Sequence, residues 1–349
     1  MPENKLKTAV LGLNDNGRLL LEAALKANYF QLEAVADKDT QLVERIGREY
    51  NCRAYDDYRQ LVIQNQLDCL LVAAGMNSCG EHLRSAIKKK FNILKWPPLA
   101  RNFEEAVELV RLAEDNNVKF AITNINRFAD SFVAFRQFIQ QGRIEHIYLL
   151  TAECNVGGHD YPAWHNDKGL SGGGVLLRNC YGIFDEIVCN FPTPQEVYAL
   201  NTSTAGDKHQ RHYLTEDTSI VTMKFREDMI GNLTASKVVG PDEAYLKVFG
   251  KAQILTVNNN LVRLSKNCGE VVEDCEYGYD ILVCTKRLLE NFALSILSPD
   301  KNKLCSTGRE NLKNMSVIES AYLSSRTSMP ESPARVLQMG QAELTKIVD

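Results

Sequence analysis

The segment Leu6–Gly17, LKTAVLGLNDNG, decides the fold of this 349-residue chain. Its first six residues form a short, mostly apolar run that predicts a buried strand, and residues 17–27 place leucine and alanine at helical spacing. The joining residues 12–17, GLNDNG, match the pattern G-x-G-x-x-G at its first and third glycines, and Asn14 replaces the second. A glycine turn between a strand and a helix is typical of a parallel βαβ unit that binds a dinucleotide.

The same alternation of strand and helix continues to about residue 123. Further strands are predicted at residues 31–36, 69–73, 92–95 and 119–122, with helices at 58–64, 81–89 and 104–116. Strands separated by helices of this length pair in parallel through right-handed crossovers. Residues 1–125 are therefore predicted to form a doubly wound α/β domain.

The second half of the chain has a different pattern. Short β-rich segments separated by turn residues predict strands at 147–153, 197–201, 218–225, 230–236, 244–249 and 253–257. Apolar and polar residues alternate along 219–225, as in a strand with one covered face. We predict an α+β domain at 126–326, with a large, open, mostly antiparallel sheet and helices on one face, followed by a C-terminal tail at 327–349.

Composition narrows the class of protein. Hydrophobic residues make up 44% and charged residues 24%, and the net charge of −4 gives no reason to expect nucleic acid or a membrane as a partner. No stretch reaches the roughly 18 apolar residues of a membrane span, and the N-terminus lacks a secretory segment, so we expect a cytoplasmic chain. The ten cysteines are scattered without a Cys-x-x-Cys pair, which favours reduced thiols and no metal site.

An acidic residue ends the second predicted strand. Asp37 lies 25 positions after Gly12, where a carboxylate accepts hydrogen bonds from an adenosine ribose and repels a 2′-phosphate, which favours NAD over NADP. The alternative is that Asp37 is only a helix N-cap. Asn14 either crowds the diphosphate or donates a hydrogen bond to it, and the sequence leaves both open.

Several segments, in the same order, resemble the glucose–fructose oxidoreductase, inositol dehydrogenase and rhizopine-catabolism family, written Gfo/Idh/MocA. The resemblance runs from about residue 5 to 326. The segments that carry it are DCLLVAAGMN at 68–77, RF at 127–128, GRI at 142–144, Trp164 with Asp167, SGGGVLL at 171–177, EDT at 216–218 and GNLTAS at 231–236. It implies a Rossmann domain followed by an open-sheet domain, an NAD-dependent oxidoreductase of a sugar or polyol, and a homo-oligomer (dimer or tetramer) in which a second copy covers the sheet.

The glycine motif and the resemblance together predict the cofactor-binding residues. These are Gly12, Asn14, Asn16, Asp37, Ala74, Asn77 and Trp96.

The residues that handle protons in this family are replaced. Its Glu-Lys-Pro motif aligns with Trp96, Pro97 and Pro98, and proline has no amine to hold a reacting hydroxyl. Its aspartate and histidine align with Arg178 and Gly182, and arginine stays protonated and cannot serve as a base. The usual sugar or polyol dehydrogenase reaction is therefore in doubt.

There are three catalytic candidates: Lys95 and Tyr181 as substitute acid–base groups, and Arg178 as the cation beside Tyr181 that allows the tyrosine to act as acid or base. The alternative for Tyr181, a packed helix aromatic, is the one that the sequence favours. On the substrate side the candidates are Arg127, His159, Trp164, His165 and Arg178. Arg178 pairs either with Asp185, seven residues on, or with an acidic ligand such as a uronate, a sugar phosphate or a nucleotide sugar.

Three functions stay open. The favoured one is an oxidoreductase of a carbohydrate-like molecule with a rearranged site. The others are a non-catalytic NAD- or ligand-binding homologue, acting as a sensor or partner subunit, and an NAD-dependent lyase or glycosidase.

Overall fold

The computed structural model describes residues 5–346 apart from 158, 160, 204–213 and 227. The strands are β1 (Leu6–Leu11), β2 (Phe30–Ala36), β3 (Arg53–Tyr55), β4 (Cys69–Val72), β5 (Asn92–Lys95), β6 (Phe120–Ile122), β7 (Leu149–Asn155), β8 (Glu196–Thr202), β9 (Thr218–Lys224), β10 (Ile230–Ser236), β11 (Glu243–Phe249), β12 (Gln253–Val257), β13 (Leu261–Lys266) and β14 (Val271–Glu276).

The α-helices are α1 (Asp15–Ala27), α2 (Thr40–Glu49), α3 (Tyr58–Gln64), α4 (Met76–Lys88), α5 (Phe103–Asp115), α6 (Asp130–Gln140), α7 (Lys168–Ser171), α8 (Val175–Arg178), α9 (Tyr181–Asn190), α10 (Ile281–Leu297), α11 (Gly308–Thr327) and α12 (Pro333–Lys346). Two short 3-10 turns lie at Ile125–Phe128 and Ala163–His165. Within the described ranges, no helix combines the length and the hydropathy that crossing a bilayer requires.

The first compact unit contains a six-stranded sheet in the order β3-β2-β1-β4-β5-β6, and every strand pair in it is parallel. This is the doubly wound sheet predicted from the sequence. Strand β1 is central because its residues Ala9, Val10 and Leu11 are buried on both faces. The strand order reverses between β1 and β4, which is where such sheets bind their ligands.

The second unit contains an eight-stranded sheet in the order β14-β13-β12-β11-β7-β10-β9-β8. Only the β7–β10 pair is parallel, so the prediction of a large, mostly antiparallel sheet is confirmed. In β9, Ser219, Val221 and Met223 are buried, while Ile220 and Lys224 face outward. Strands β13 and β14 were not predicted, because charged residues interrupt their apolar pattern.

The two compact units are discontinuous in sequence, whereas the predicted domains 1–125 and 126–326 and the tail at 327–349 are each continuous. The first unit contains the described residues of Met1–Ala100, Glu105–Ile125 and Asp280–Asn311, and the second contains those of Arg101–Glu104, Asn126–Tyr279 and Leu312–Asp349. Residues 280–311 join the first unit because α10 packs against α1. Leu288 and Phe292 of α10 are buried. The predicted tail contains helix α12.

Candidate active site

The glycine turn after β1 is set by close backbone contacts in the first unit. Gly12 has a φ of 90°, and a Cβ added there would lie 2.4 Å from the backbone nitrogen of Ala74. A Cβ added at Gly17 would lie 1.9 Å from the carbonyl oxygen of Gly12. Both positions therefore require glycine, for the turn and for the approach of α1 to β1.

Asn14 forms the N-cap of α1. Its two possible roles towards a bound diphosphate stay predictions. Its Oδ1 accepts a hydrogen bond from the backbone N–H of Gly17 at 3.0 Å, and its Nδ2 donates to the carbonyl of Ala73 at 3.0 Å. Its φ of −58° is ordinary, so the position does not need a left-handed conformation. The side-chain oxygen thus occupies one helix N–H that would otherwise be available to a phosphate.

Asp37 is bound to the glycine turn. Its Oδ2 accepts a hydrogen bond from the backbone N–H of Leu13 at 2.5 Å, and its Oδ1 accepts one from the backbone N–H of Asp39 at 3.0 Å. The N-cap of α2 is Asp39, whose side chain accepts from Leu42, so the interpretation of Asp37 as a helix cap is wrong. The carboxylate of Asp37 holds the end of β2 beside the turn that follows β1.

The other predicted cofactor residues lie at the same edge of the sheet. Asn16 is in the first turn of α1, and Ala74 is buried behind β4 against Gly12. Asn77 is exposed in the first turn of α4, and Trp96 follows β5 with its backbone N–H bound to the carbonyl of Val72. The structure therefore gathers these residues at the carboxyl ends of β1, β4 and β5.

Lys95 has a structural role that the sequence did not reveal. Its side chain is almost fully buried, and its ammonium donates to the carbonyl of Trp96 at 2.9 Å and to the carbonyl of Pro98. The lysine holds the chain after β5 in a turn with a cis peptide between Pro97 and Pro98. This geometry speaks against the predicted acid–base role of Lys95, because its protons are directed at backbone oxygens.

In the second unit, the glycine run before α8 is anchored by a buried carboxylate. Glu216 accepts hydrogen bonds from the N–H groups of Gly174 (2.9 Å) and Leu176 (3.0 Å) and from the hydroxyl of Tyr322 (2.8 Å). Burial raises the pKa of Glu216. A Cβ added at Gly174 would lie 1.8 Å from the carbonyl oxygen of Glu216, so this position needs glycine. The anchor fixes the short helix that ends at Arg178.

Arg178 is partly buried among aromatic and imidazole groups. Its Nη2 lies 2.9 Å from Nε2 of His165, and its guanidinium carbon lies 4.6 Å from the ring centre of Trp164. Burial lowers the pKa of Arg178 to about 10, so the group stays charged at neutral pH. None of the described carboxylates lies within 4.0 Å of its guanidinium.

Asp185 is not the partner of Arg178, so the internal ion pair considered from the sequence is wrong. Its carboxylate forms two hydrogen bonds with the guanidinium of Arg127, at 2.7 and 2.8 Å, and accepts a third from Asn314 at 2.8 Å. Asp185 is 1% exposed. Nε and Nη2 of Arg127 thus form a buried ion pair, and the ligand contact predicted for this residue stays a prediction.

A second cation, Lys237, lies close to Arg178 and Tyr161. Burial lowers the pKa of Lys237, whose ammonium lies 5.8 Å from the ring centre of Tyr161 and donates to the side chain of Asn166 at 2.9 Å. Arg178, Lys237, His165, Tyr161 and Trp164 are referred to below as the cationic cluster. Lys237 was missed, because a lysine directly after a strand carries no pattern that marks it.

His165 is the titratable base of the cationic cluster. Burial, and then the charges of Arg178 and Lys237, lower its pKa to about 4, so the imidazole is neutral at neutral pH. The tyrosine hydroxyl in this cluster belongs to Tyr161, which accepts a hydrogen bond from Asn179 at 3.1 Å.

The remaining predicted site residues lie elsewhere. Tyr181 is 1% exposed in α9, which agrees with the packed aromatic that was its alternative interpretation. His159 lies 2.7 Å from the carboxylate of Asp242, and both side chains are about half exposed. At Gly182, which aligns with the family's histidine, an added Cβ would lie 3.7 Å from the side-chain nitrogen of Asn126, in ordinary van der Waals contact. In the described part of the chain, no three potential metal ligands come together.

The parallel sheet, its glycine turn and the open antiparallel sheet define a dinucleotide-binding protein with a second α+β unit. Comparison with known proteins identifies the family. Residues 6–124 match the model described as "Oxidoreductase family, NAD-binding Rossmann fold", and residues 132–256 match the GFO/IDH/MocA C-terminal domain. The chain belongs to the Gfo/Idh/MocA family, and the prediction of NAD as its cofactor is confirmed at the level of that family.

Individual relatives are distant. A trans-1,2-dihydrobenzene-1,2-diol dehydrogenase of Xenopus tropicalis is 26% identical over 190 residues, which is 54% of this chain and 57% of the relative. The chain spans between about half and two thirds of the length of several curated relatives that it matches (54%, 57% and 66%).

Solved structures share the fold. A levoglucosan dehydrogenase in complex with NADH and levoglucosan has a TM-score of 0.84 at 13% identity, covering 94% of this chain and 99% of that one. The WlbA dehydrogenase from Bordetella pertussis, in complex with NADH and UDP-GlcNAcA, has a TM-score of 0.80 at 15% identity, covering 94% and 99%.

Proposed function

We propose that this protein is an NAD-dependent oxidoreductase that acts on a hydroxyl group of a sugar-like molecule bearing a carboxylate or a phosphate. The observation that carries the proposal is the environment of the charged guanidinium of Arg178. Its charge is held in a partly buried place with no carboxylate of the described residues within 4.0 Å, a costly arrangement unless an anion completes it. A bound acid group supplies that anion and takes the bidentate contact for which a guanidinium is suited.

The first unit fits the cofactor. The Gly12 turn allows close approach of a diphosphate to the backbone, and Asp37 lies at the strand end where a ribose is held. Asn14 departs from the usual pattern by capping Gly17, which leaves fewer free N–H groups for the diphosphate. When bound, NAD⁺ supplies the acceptor for the hydride removed from the substrate.

The second unit supplies the substrate side. Arg178 and Lys237 give two positive charges for the acid group of the ligand, and Trp164 offers an aromatic face to a sugar ring. The structure of WlbA with a nucleotide sugar is in keeping with an anionic substrate for this fold. Neutral inositols and aldoses lack the charged group and should be poor substrates.

A non-catalytic NAD-binding homologue is the second candidate. Three features favour it, because none of them leaves a proton acceptor at the expected position. The ammonium of Lys95 donates to a backbone carbonyl, the ring of Tyr181 is buried, and residue 182 is glycine. Such a protein would bind cofactor and ligand without turnover.

Calorimetric titration tests the proposal. NADH should bind more tightly than NADPH, and D-glucuronate or glucose 6-phosphate should bind where D-glucose does not. Binding of NADPH equal to that of NADH would reject the cofactor preference. Equal binding of the neutral and the acidic sugar would reject the acidic substrate.

A further inference from the structure

The hydrogen bond between Arg178 and His165 fixes the state of the imidazole. An arginine nitrogen can only donate, so Nε2 of His165 is the acceptor of the 2.9 Å contact. The proton of the neutral ring is therefore on Nδ1. While this bond persists, the lone pair of Nε2 is occupied and cannot take a proton.

The surroundings of His165 reinforce this state. The ring lies edge-on to Trp164, with centres 4.1 Å apart, and 5.4 Å from the centre of Tyr161. The charged groups that face it are Arg178 and Lys237, both positive. Among the residues whose structure is described, Asp242 is the acidic group near Tyr161, and it is bound to His159.

We infer that His165 is the proton acceptor of this site, and that Arg178 keeps it inactive until an acid group on the ligand draws the guanidinium away. A carboxylate or phosphate competes for Nη2 of Arg178 because an ionic acceptor binds a guanidinium more strongly than a neutral imidazole does. The exchange frees Nε2 and cancels the nearest positive charge. This inference rests on the proposed function and names the group that replaces the missing base.

The proton transfer is balanced within the proposed reaction. As the O–H bond of the substrate hydroxyl breaks, its proton goes to Nε2 of His165 and a carbonyl forms at that carbon. The hydride from the same carbon is accepted by NAD⁺, and the imidazolium later releases its proton to solvent. Arg178 remains bound to the acid group throughout. A neutral sugar leaves the Arg178–His165 bond intact, and the base stays blocked.

A measurable consequence is proton uptake on ligand binding, without turnover. The pKa of His165 is about 4 in the free protein. It should move towards the ordinary histidine value of about 6.5 when the anion is bound. At a pH of about 5.5, binding of the anion should then take up most of one proton.

The experiment uses the full chain without cofactor. D-glucuronate and glucose 6-phosphate are titrated at about pH 5.5 in two buffers of different ionisation enthalpy, with D-glucose as the uncharged control. NMR follows the His165 ring in parallel, assigned with His165→Gln. Glutamine keeps an acceptor for Arg178, so this variant should bind the anion with similar affinity, take up no proton, and lose turnover with NAD⁺.

His82→Gln is the matched control. His82 is a half-buried histidine of the first unit whose pKa burial also lowers, and its replacement should leave proton uptake unchanged. Anion binding without proton uptake, or unchanged uptake in His165→Gln, would overturn the role of His165 and leave the proposed function standing. Failure of both anions to bind while NADH binds would overturn the acidic substrate, and this inference with it.

Discussion

At the scale of single residues, two arginines of the second unit are expected to differ: Arg178 binds the acid group of the ligand, and Arg127 stabilises the fold. Arg178→Ala should weaken binding of D-glucuronate at least about tenfold, the equivalent of 1.4 kcal/mol, because the lost contact is charge-assisted. Its melting temperature and its NADH affinity should hardly change. Calorimetry and thermal unfolding measure these effects. A large loss of stability with intact anion binding would mean that Arg178 is structural.

Arg127→Ala should lower the stability of the fold and leave binding of D-glucuronate largely unchanged. It leaves the carboxylate of Asp185 buried without its bidentate partner, which typically costs about 3–5 kcal/mol. Urea unfolding of the variant measures this loss. An unfolding free energy within about 1 kcal/mol of the wild type would show that the ion pair is not needed.

Asn14 limits cofactor binding in this account. Asn14→Gly should free the N–H of Gly17 for a phosphate and tighten NADH binding by about tenfold, or 1.4 kcal/mol. The cost to helix α1 is only a few tenths of a kcal/mol, since glycine is an acceptable N-cap. Asn16→Gly, in the same turn, is the control and should not improve binding. Weaker NADH binding by Asn14→Gly would show that the asparagine contacts the cofactor directly.

At the scale of elements, helix α9 carries a buried acid with an altered pKa. Burial, and then the charge of Asp185, raise the pKa of Glu186 to about 7. Oε2 of Glu186 accepts a hydrogen bond from Asn190 at 3.0 Å and lies 3.7 Å from Nη2 of Arg136. The unfolded chain releases this proton near pH 4.5 and the folded chain near 7, so the group lowers stability as pH rises between these values.

Glu186→Gln should remove this loss of stability with rising pH, because glutamine does not titrate. The free energy of unfolding of the variant, minus that of the wild type, should rise between about pH 4.5 and 7 by up to roughly 3 kcal/mol and then level off. Denaturant titrations at several pH values measure it. Glu270→Gln, which removes an exposed acid paired with Lys266, is the control with no such trend. A difference that is independent of pH would contradict the burial of a titrating Glu186.

The elements also show how far the sequence could predict this protein. The strands of the first sheet and the glycine turn follow from local patterns, because apolar runs and glycines act within a few residues. Trp164, His165 and Arg178 of the cationic cluster were predicted as substrate-side residues. Their grouping with Lys237 was not, since that lysine comes from a strand end distant in sequence. The roles of Lys95 and Asp185 were missed because each depends on where one side chain points.

At the scale of the whole molecule, the outer face of β8 to β10 predicts a second copy of the chain. Leu200 and Ile220 lie directly opposite each other on the neighbouring strands β8 and β9 and are 59% and 48% exposed. Ile230 of β10, opposite Lys224 on the same face, is 55% exposed. Adjacent exposed apolar side chains on one sheet face are typical of an interface.

In analytical ultracentrifugation the wild type should sediment as a dimer or tetramer, and the variant Leu200→Glu combined with Ile220→Glu should sediment as a monomer. Burying two carboxylates in an apolar interface is costly, so association should be lost while each chain stays folded. Val271→Glu with Val272→Glu changes two equally exposed residues of β14 and is the control. An unchanged assembly in the first variant would place the interface elsewhere.

The most direct test of the central claim is the formation of NADH from NAD⁺ with matched acidic and neutral sugars. NADH should form with at least one of D-glucuronate, glucose 6-phosphate and UDP-glucuronate and with neither D-glucose nor myo-inositol, and Arg178→Ala should abolish its formation. NADH formed equally with the neutral sugars would contradict the requirement for an acid group. Tight NADH binding with no turnover of any acidic sugar would contradict the oxidoreductase and favour the non-catalytic homologue.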